Sequence, residues 1–213
     1  MLQHVELSAL AIVCSVVIAI PAGIILGHVR RGGLLAVSVV NIGRAIPSFA
    51  ILAVTLPIAL WLGIDYGFWP TWAAVFLLAL PPMFTNAFTA VREVDPEAVD
   101  AARGMGLTER DVLLGVELPL GAPVILAAIR VSAVQVVATV PLGAVVGWGG
   151  LGRYLLDGLA QYDFPQVVVG ATLVALLAIG TEIAFGLGER FLLPRGVRRL
   201  TRAEAAATVV TAG

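Results

Sequence analysis

An all-α membrane protein of about five transmembrane helices is the fold this sequence predicts, on three observations. The 213 residues are 60% hydrophobic and 13% charged, roughly half the charged share of an ordinary soluble domain. Mean hydropathy is +1.01. The apolar residues gather into runs of about 20 or more, the length a helix needs to cross a bilayer.

The first run, Leu7 to Gly27, has no charged residue and ends at His28-Val29-Arg30-Arg31. Its flank from Met1 to Glu6 has no Arg and no cleavage pattern follows, so it reads as a span and not a secretory signal. The second span, Leu34 to Leu62, is interrupted by Arg44, Pro47 and Pro57. Proline removes a backbone donor and bends or breaks a helix, so this span is either one bent helix or two pieces. Gly63 to Pro70 is a short connection whose Tyr66 and Trp69 suit an interfacial belt. The third span runs from Thr71 to Val91 through Pro81-Pro82, and the polar stretch Arg92 to Glu117 follows. Leu118 to Val146 is the fourth span, with Pro123, Arg130 and Pro141 inside it. Gly147 to Gln166 reads as a Gly-rich loop, and Val167 to Leu187, containing Glu182, as the fifth span. Residues 1–194 thus form a single transmembrane domain, and 195–213, behind an Arg cluster, a disordered tail.

Charge sets the expected orientation. Arg153 falls on one side of the five spans, Arg44 and Arg130 lie inside them, and the remaining ten of the 13 basic residues, all arginines, fall on the other side. Basic residues favour the cytoplasm, so the N-terminus is expected outside and the C-terminus and the 92–117 segment inside.

Within that segment Asp95-Pro96-Glu97 reads as a helix start: Asp95 caps free amides, Pro96 takes the first helical position and Glu97 suits the helix dipole. Gly106 is expected to end the helix in the left-handed conformation, with Leu107 folding back. Thr108-Glu109-Arg110-Asp111 then resembles a capping box, so two short helices joined by a tight turn are predicted. On the first, Ala98, Ala101, Ala102 and Met105 share a smooth face suited to a partner's groove, the alternative being a helix resting on the bilayer.

Asp100-Ala101-Ala102, three residues, Gly106, nine residues and Val116-Glu117-Leu118-Pro119 match the signature EAA–x3–G–x9–I–x–L–P. The chain therefore resembles the permease subunits of type I ABC importers, the binding-protein-dependent inner-membrane components of MetI-like fold. It departs at Asp100 for Glu and Val116 for Ile. Arg44-Ala45-Ile46-Pro47-Ser48, Val94-Asp95-Pro96, Ala101-Ala102-Arg103-Gly104-Met105-Gly106, Val116-Glu117-Leu118-Pro119-Leu120 and Gly149-Gly150-Leu151-Gly152 look closest to the osmoprotectant branch for glycine betaine, choline, carnitine or proline betaine. Thr85 stands before Asn86 where members often carry Arg.

The resemblance implies that 92–117 carries a coupling helix that docks into a separate ATPase, with Asp100, Ala101, Ala102, Arg103, Gly106, Leu118 and Pro119 contacting or shaping that interface. It also implies two ATP-binding subunits holding ATP and Mg²⁺, a substrate-binding protein, and a second permease, either an identical copy or a sister chain, in a bacterial inner membrane. No cofactor is expected on this chain. The absence of Lys fits, because a P-loop uses a Lys to reach nucleotide phosphates.

Arg44, Asn86, Arg130 and Glu182 are polar residues inside apolar spans. Ionised groups there cost roughly several kcal/mol against lipid, so they line a pathway or form structural pairs such as Arg130 with Glu182. A methionine or other amino-acid permease is the alternative within the resemblance. An intramembrane enzyme is the rival from another class, but His4 and His28 both lie near span ends and no nucleophile–base set or paired carboxylates stand out. A lone Cys14 excludes an intrachain disulfide, and nothing in the charge pattern suggests nucleic acid.

Overall fold

A computed structural model describes residues 1–29, 37, 38, 40, 42, 43 and 45–192, and the ordered elements among them are all helical. Among the described residues four helices are long and apolar enough to cross a membrane: α1 (Leu2–Val29), α3 (Phe68–Arg92), α5 (Glu109–Val146) and α7 (Phe164–Leu192). Between them lie α2 (Ser48–Leu62), α4 (Pro96–Gly104) and α6 (Gly152–Ala160). A helix hydrogen-bonds its whole backbone internally, which is why apolar sequence in lipid takes this form.

The predicted second span is described only in part. Its helix α2 has 15 residues, about 22 Å at 1.5 Å per residue and short of a hydrocarbon core about 30 Å thick. Pro47 starts it in an extended conformation and Gly63 closes it at φ 67°. Arg44 and much of the predicted first half lie outside the described residues.

The bundle is built around α3, which packs against α1, α2 and α5, while α7 packs on α5 and α6. Over half of the most apolar stretch of α3 is buried, 56% against 11% for that of α7. Against α1 the contact runs through Gly23 and Gly27, spaced four apart so that both fall on one helix face. Leu7, Ala11, Ala19, Val75, Met83, Ala87 and Val136 fill the core beside that seam. Pro21 and the Pro81-Pro82 pair stay inside unbroken helices.

Helix α5 departs from the predicted boundary at Leu118. The capped start at Thr108 opens not a separate short helix but the long one, which runs on through a wide π turn at Leu113–Glu117. Pro119 accounts for the turn: it cannot donate, and its ring would strike the carbonyl of Gly115 in a regular α-helix. The far end, Val140–Val146, tightens into a 3-10 helix that ends at Gly147.

The segment 147–166 is not wholly loop, because α6 forms within it. Its Arg153 and Asp157 pair at 3.0 Å one turn apart, and it packs against the 3-10 end of α5 and the start of α7. Arg153 thus lies at the end of the bundle where Gln3 of α1 accepts a hydrogen bond from the Gly150 amide, opposite the end that holds α4. Helix α7 continues to Leu192, past the predicted end of the fifth span at Leu187, and so includes Glu189.

Candidate functional site

Local capping chemistry fixes α4. Asp95 accepts from the Glu97 amide at 2.9 Å and Pro96 opens the helix. At the other end Gly106 has φ 86°, its amide donates to Arg103 O and the Leu107 amide to Ala102 O. This pair of bonds is a Schellman closure, which needs a left-handed residue where Gly106 stands. Thr108 and Asp111 complete a reciprocal capping box across the turn.

Ala102 does not share the outward face predicted for it. It is buried with Val94, Val99 and Val112, while Leu107 and Val116 close the cluster. Val99 and Ala102 lie three apart, and the larger Val99 turns that stripe inward. The surface left outside carries Glu97, Asp100, Ala101 and Met105, with Ala98 half-buried. Arg103 reaches from α4 to the start of α5, donating to both carboxylate oxygens of Glu109 at 2.9 Å each. This fork holds the Glu109 carboxyl below the usual carboxylate range. Asp100 lies 3.7 Å from the same guanidinium. Leu118 and Pro119 sit half-buried at the end of the wide turn.

The second group of polar residues lies between the long helices. Arg130 is 3.4 Å from Glu182 and 3.3 Å from Glu189, close enough for ion pairing although its Nε is not aligned for a hydrogen bond. The two glutamates are seven apart on one face of α7. Asn86 is elsewhere: it lines a cleft of about 420 Å³ with Ser48, Pro81, Pro82, Val131 and Gln135. Its Nδ2 donates to Pro82 O at 2.7 Å, one turn back along α3. Gln135 is exposed on the surface of the chain, at the middle of α5. The sequence reading missed Gln135, whose only signal is an amide in a run of Val and Ala. It also missed the contact of His28 with Glu117, two residues 89 apart in sequence.

Long apolar helices around a proline-rich central one, with a small capped helix pinned at one end, define an all-helical protein of the membrane-spanning class. Residues 19–194 match the family model described as binding-protein-dependent transport system inner membrane component, and the chain belongs to that family. It is 35% identical to the choline transport system permease protein OpuBB of Bacillus subtilis, over 93% of this chain and 89% of that one. It is 37% identical to the carnitine transport permease protein OpuCB of Listeria monocytogenes, over 92% and 88%. The osmoprotectant import permease protein OsmW of Salmonella typhimurium is 32% identical over 92% and 91%. A chain of the inward-facing MetNI methionine ABC transporter superposes with a TM-score of 0.78 at 23% identity, covering 90% of this chain and 94% of that one, a likeness of fold.

Proposed function

We propose that this permease imports quaternary-ammonium osmoprotectants, such as choline, carnitine or glycine betaine, in a complex with a separate ATPase and a substrate-binding protein. The carrying observation is that relatives 30–37% identical over 81–91% of their own length are permeases named for choline, carnitine, glycine betaine or osmoprotectants.

The exposed face of α4, with Asp100 and Ala101, docks into the ATPase. Arg103, Ala102 and Gly106 shape that face from behind, and Leu118 and Pro119 join it to the membrane-spanning part of α5. ATP and Mg²⁺ bind on the ATPase, in two copies, and this chain pairs with a second permease. Gln135 supports that pairing: an amide costs free energy against lipid, so the face it shares with Asn86 turns toward water or a partner. The cleft then borders the pathway, where a trimethylammonium group asks for no hydrogen bond and a substrate carboxylate or hydroxyl is met by the amides of Asn86 and Gln135. Arg130, Glu182 and Glu189 hold α5 to α7. The assembly sits in a bacterial inner membrane with the N-terminus outside and 92–117 in the cytoplasm.

The test is uptake of labelled glycine betaine, choline and carnitine by vesicles holding this chain with its ATPase and binding protein, with and without ATP. ATP-dependent accumulation of one of them is expected. Accumulation of methionine alone would replace the substrate class and keep the permease.

A further inference from the structure

Four side chains from three helices form one line of contacts at the α4 end of the bundle. Arg103 grips Glu109. Glu109 Oε2 lies 3.4 Å from His28 Nε2. His28 Nδ1, in the last turn of α1, lies 2.5 Å from Glu117 Oε2. Glu117 is fully buried, and its Oε1 has no hydrogen-bond partner among the described residues. Both nitrogens of the ring thus face carboxylates, Nδ1 in a hydrogen bond with the buried Glu117 and Nε2 within ion-pair distance of Glu109. A carboxylate taken out of water needs such a partner.

The position of the ring is as informative as its partners. Glu109 precedes the wide turn of α5 and Glu117 ends it, so His28 clamps that turn across its length. Turns of this kind are soft places in a helix. Without the clamp, a push on α4 would be absorbed there. With it, α4, the start of α5 and the end of α1 are held as one body.

We propose that His28 is a positioning residue for energy coupling: its ring ties the α4–α5 corner to α1, so that movement of α4 is delivered to α1 as well as to α5. This rests on the reading that α4 docks the ATPase.

The experiment is hydrogen exchange of the 20–29 segment in the assembled complex in nanodiscs, with and without ATP plus vanadate, which needs no knowledge of the substrate. The expected result is a nucleotide-dependent change in the wild type, lost in His28→Leu, lost or at least halved in Glu109→Ala, and kept in His28→Arg, whose guanidinium offers donors to both carboxylates. Glu109 is exposed, so its variant does not endanger folding, whereas a merely space-filling role would favour Leu over Arg at position 28. No change in the wild type, a full change in His28→Leu, or loss in His28→Arg as in His28→Leu would each overturn the proposal. The docking reading fails separately, if Ala101→Arg leaves assembly with the ATPase undiminished.

Discussion

A Cβ on Gly23 would lie 2.6 Å from the carbonyl oxygen of Phe84, so α1 and α3 meet there backbone to backbone. Gly27 repeats the approach one turn on, 2.7 Å from Phe88 O. Close contact of this kind is the main source of helix association where lipid is as apolar as the side chains. Gly23→Leu is expected to force the pair apart and cost about 3 kcal/mol or more, at the upper end of overpacking penalties. Thermal unfolding of the purified protein measures it. Gly180→Ala, with nothing within 4 Å of its added carbon, is the matched control and should be neutral or slightly stabilising.

At Gly106 the constraint is the backbone itself. Its φ of 86° carries a penalty of about 1–2 kcal/mol for an L-residue. Gly106→Ala should therefore loosen the Schellman closure and raise amide exchange at Gly106 and Leu107 severalfold. Unchanged exchange would mean that the closure does not depend on this residue.

Acid should release the tie between α4 and α5. Arg103 depresses the Glu109 carboxyl in the folded chain, so the contribution is present above the ordinary carboxylate pKa and is lost as pH falls through the depressed one. Exchange over 96–112, taken relative to the intrinsic rate at each pH and followed downward from neutral, is expected to rise in that acidic window. Arg103→Ala should remove this acid-dependent step and leave exchange high throughout.

Removing one member of the Arg130 group should cost more than removing its charge balance. Arg130→Met leaves Glu182 and Glu189 facing each other's field between α5 and α7. The double variant Arg130→Met with Glu182→Gln is expected to recover part of that loss, with a coupling of about 0.5–3 kcal/mol, as found for residues in one ionic network. Strict additivity in thermal stability would show that the contact contributes nothing.

If the cleft borders the pathway, Asn86→Leu and Gln135→Leu should each lower uptake about tenfold, the effect of one lost hydrogen bond of about 1.4 kcal/mol. Initial rates in vesicles matched for assembled complex decide this. Wild-type rates in both would move the pathway to another face.

What could be read in the sequence was what short-range chemistry determines. Asp95, Pro96, Gly106 and the Thr108–Asp111 box act within a few residues of themselves, and each appears where the pattern placed it. The long apolar runs were legible for the same reason, since span length is a property of the run. The direction of Ala102 was not, because Val99 and a valine from the next helix decide which stripe turns inward. Helix α6 was masked by Gly147 and Gly150, whose positive φ values belong to the turns that precede its start. Nor does any local pattern join His28 to Glu117, or single out Gln135 from the apolar residues beside it.

The wide turn at Leu113–Glu117 makes chain length an angular setting. One extra residue is accommodated in that turn, and each residue of an α-helix advances the phase by about 100°. Deleting Gly115 would swing everything before it, α4 included, by about that angle relative to the rest of α5. The nine residues between Gly106 and Val116 therefore act as a dial as well as a tether, and a single insertion or deletion there would aim the outward face of α4 somewhere else.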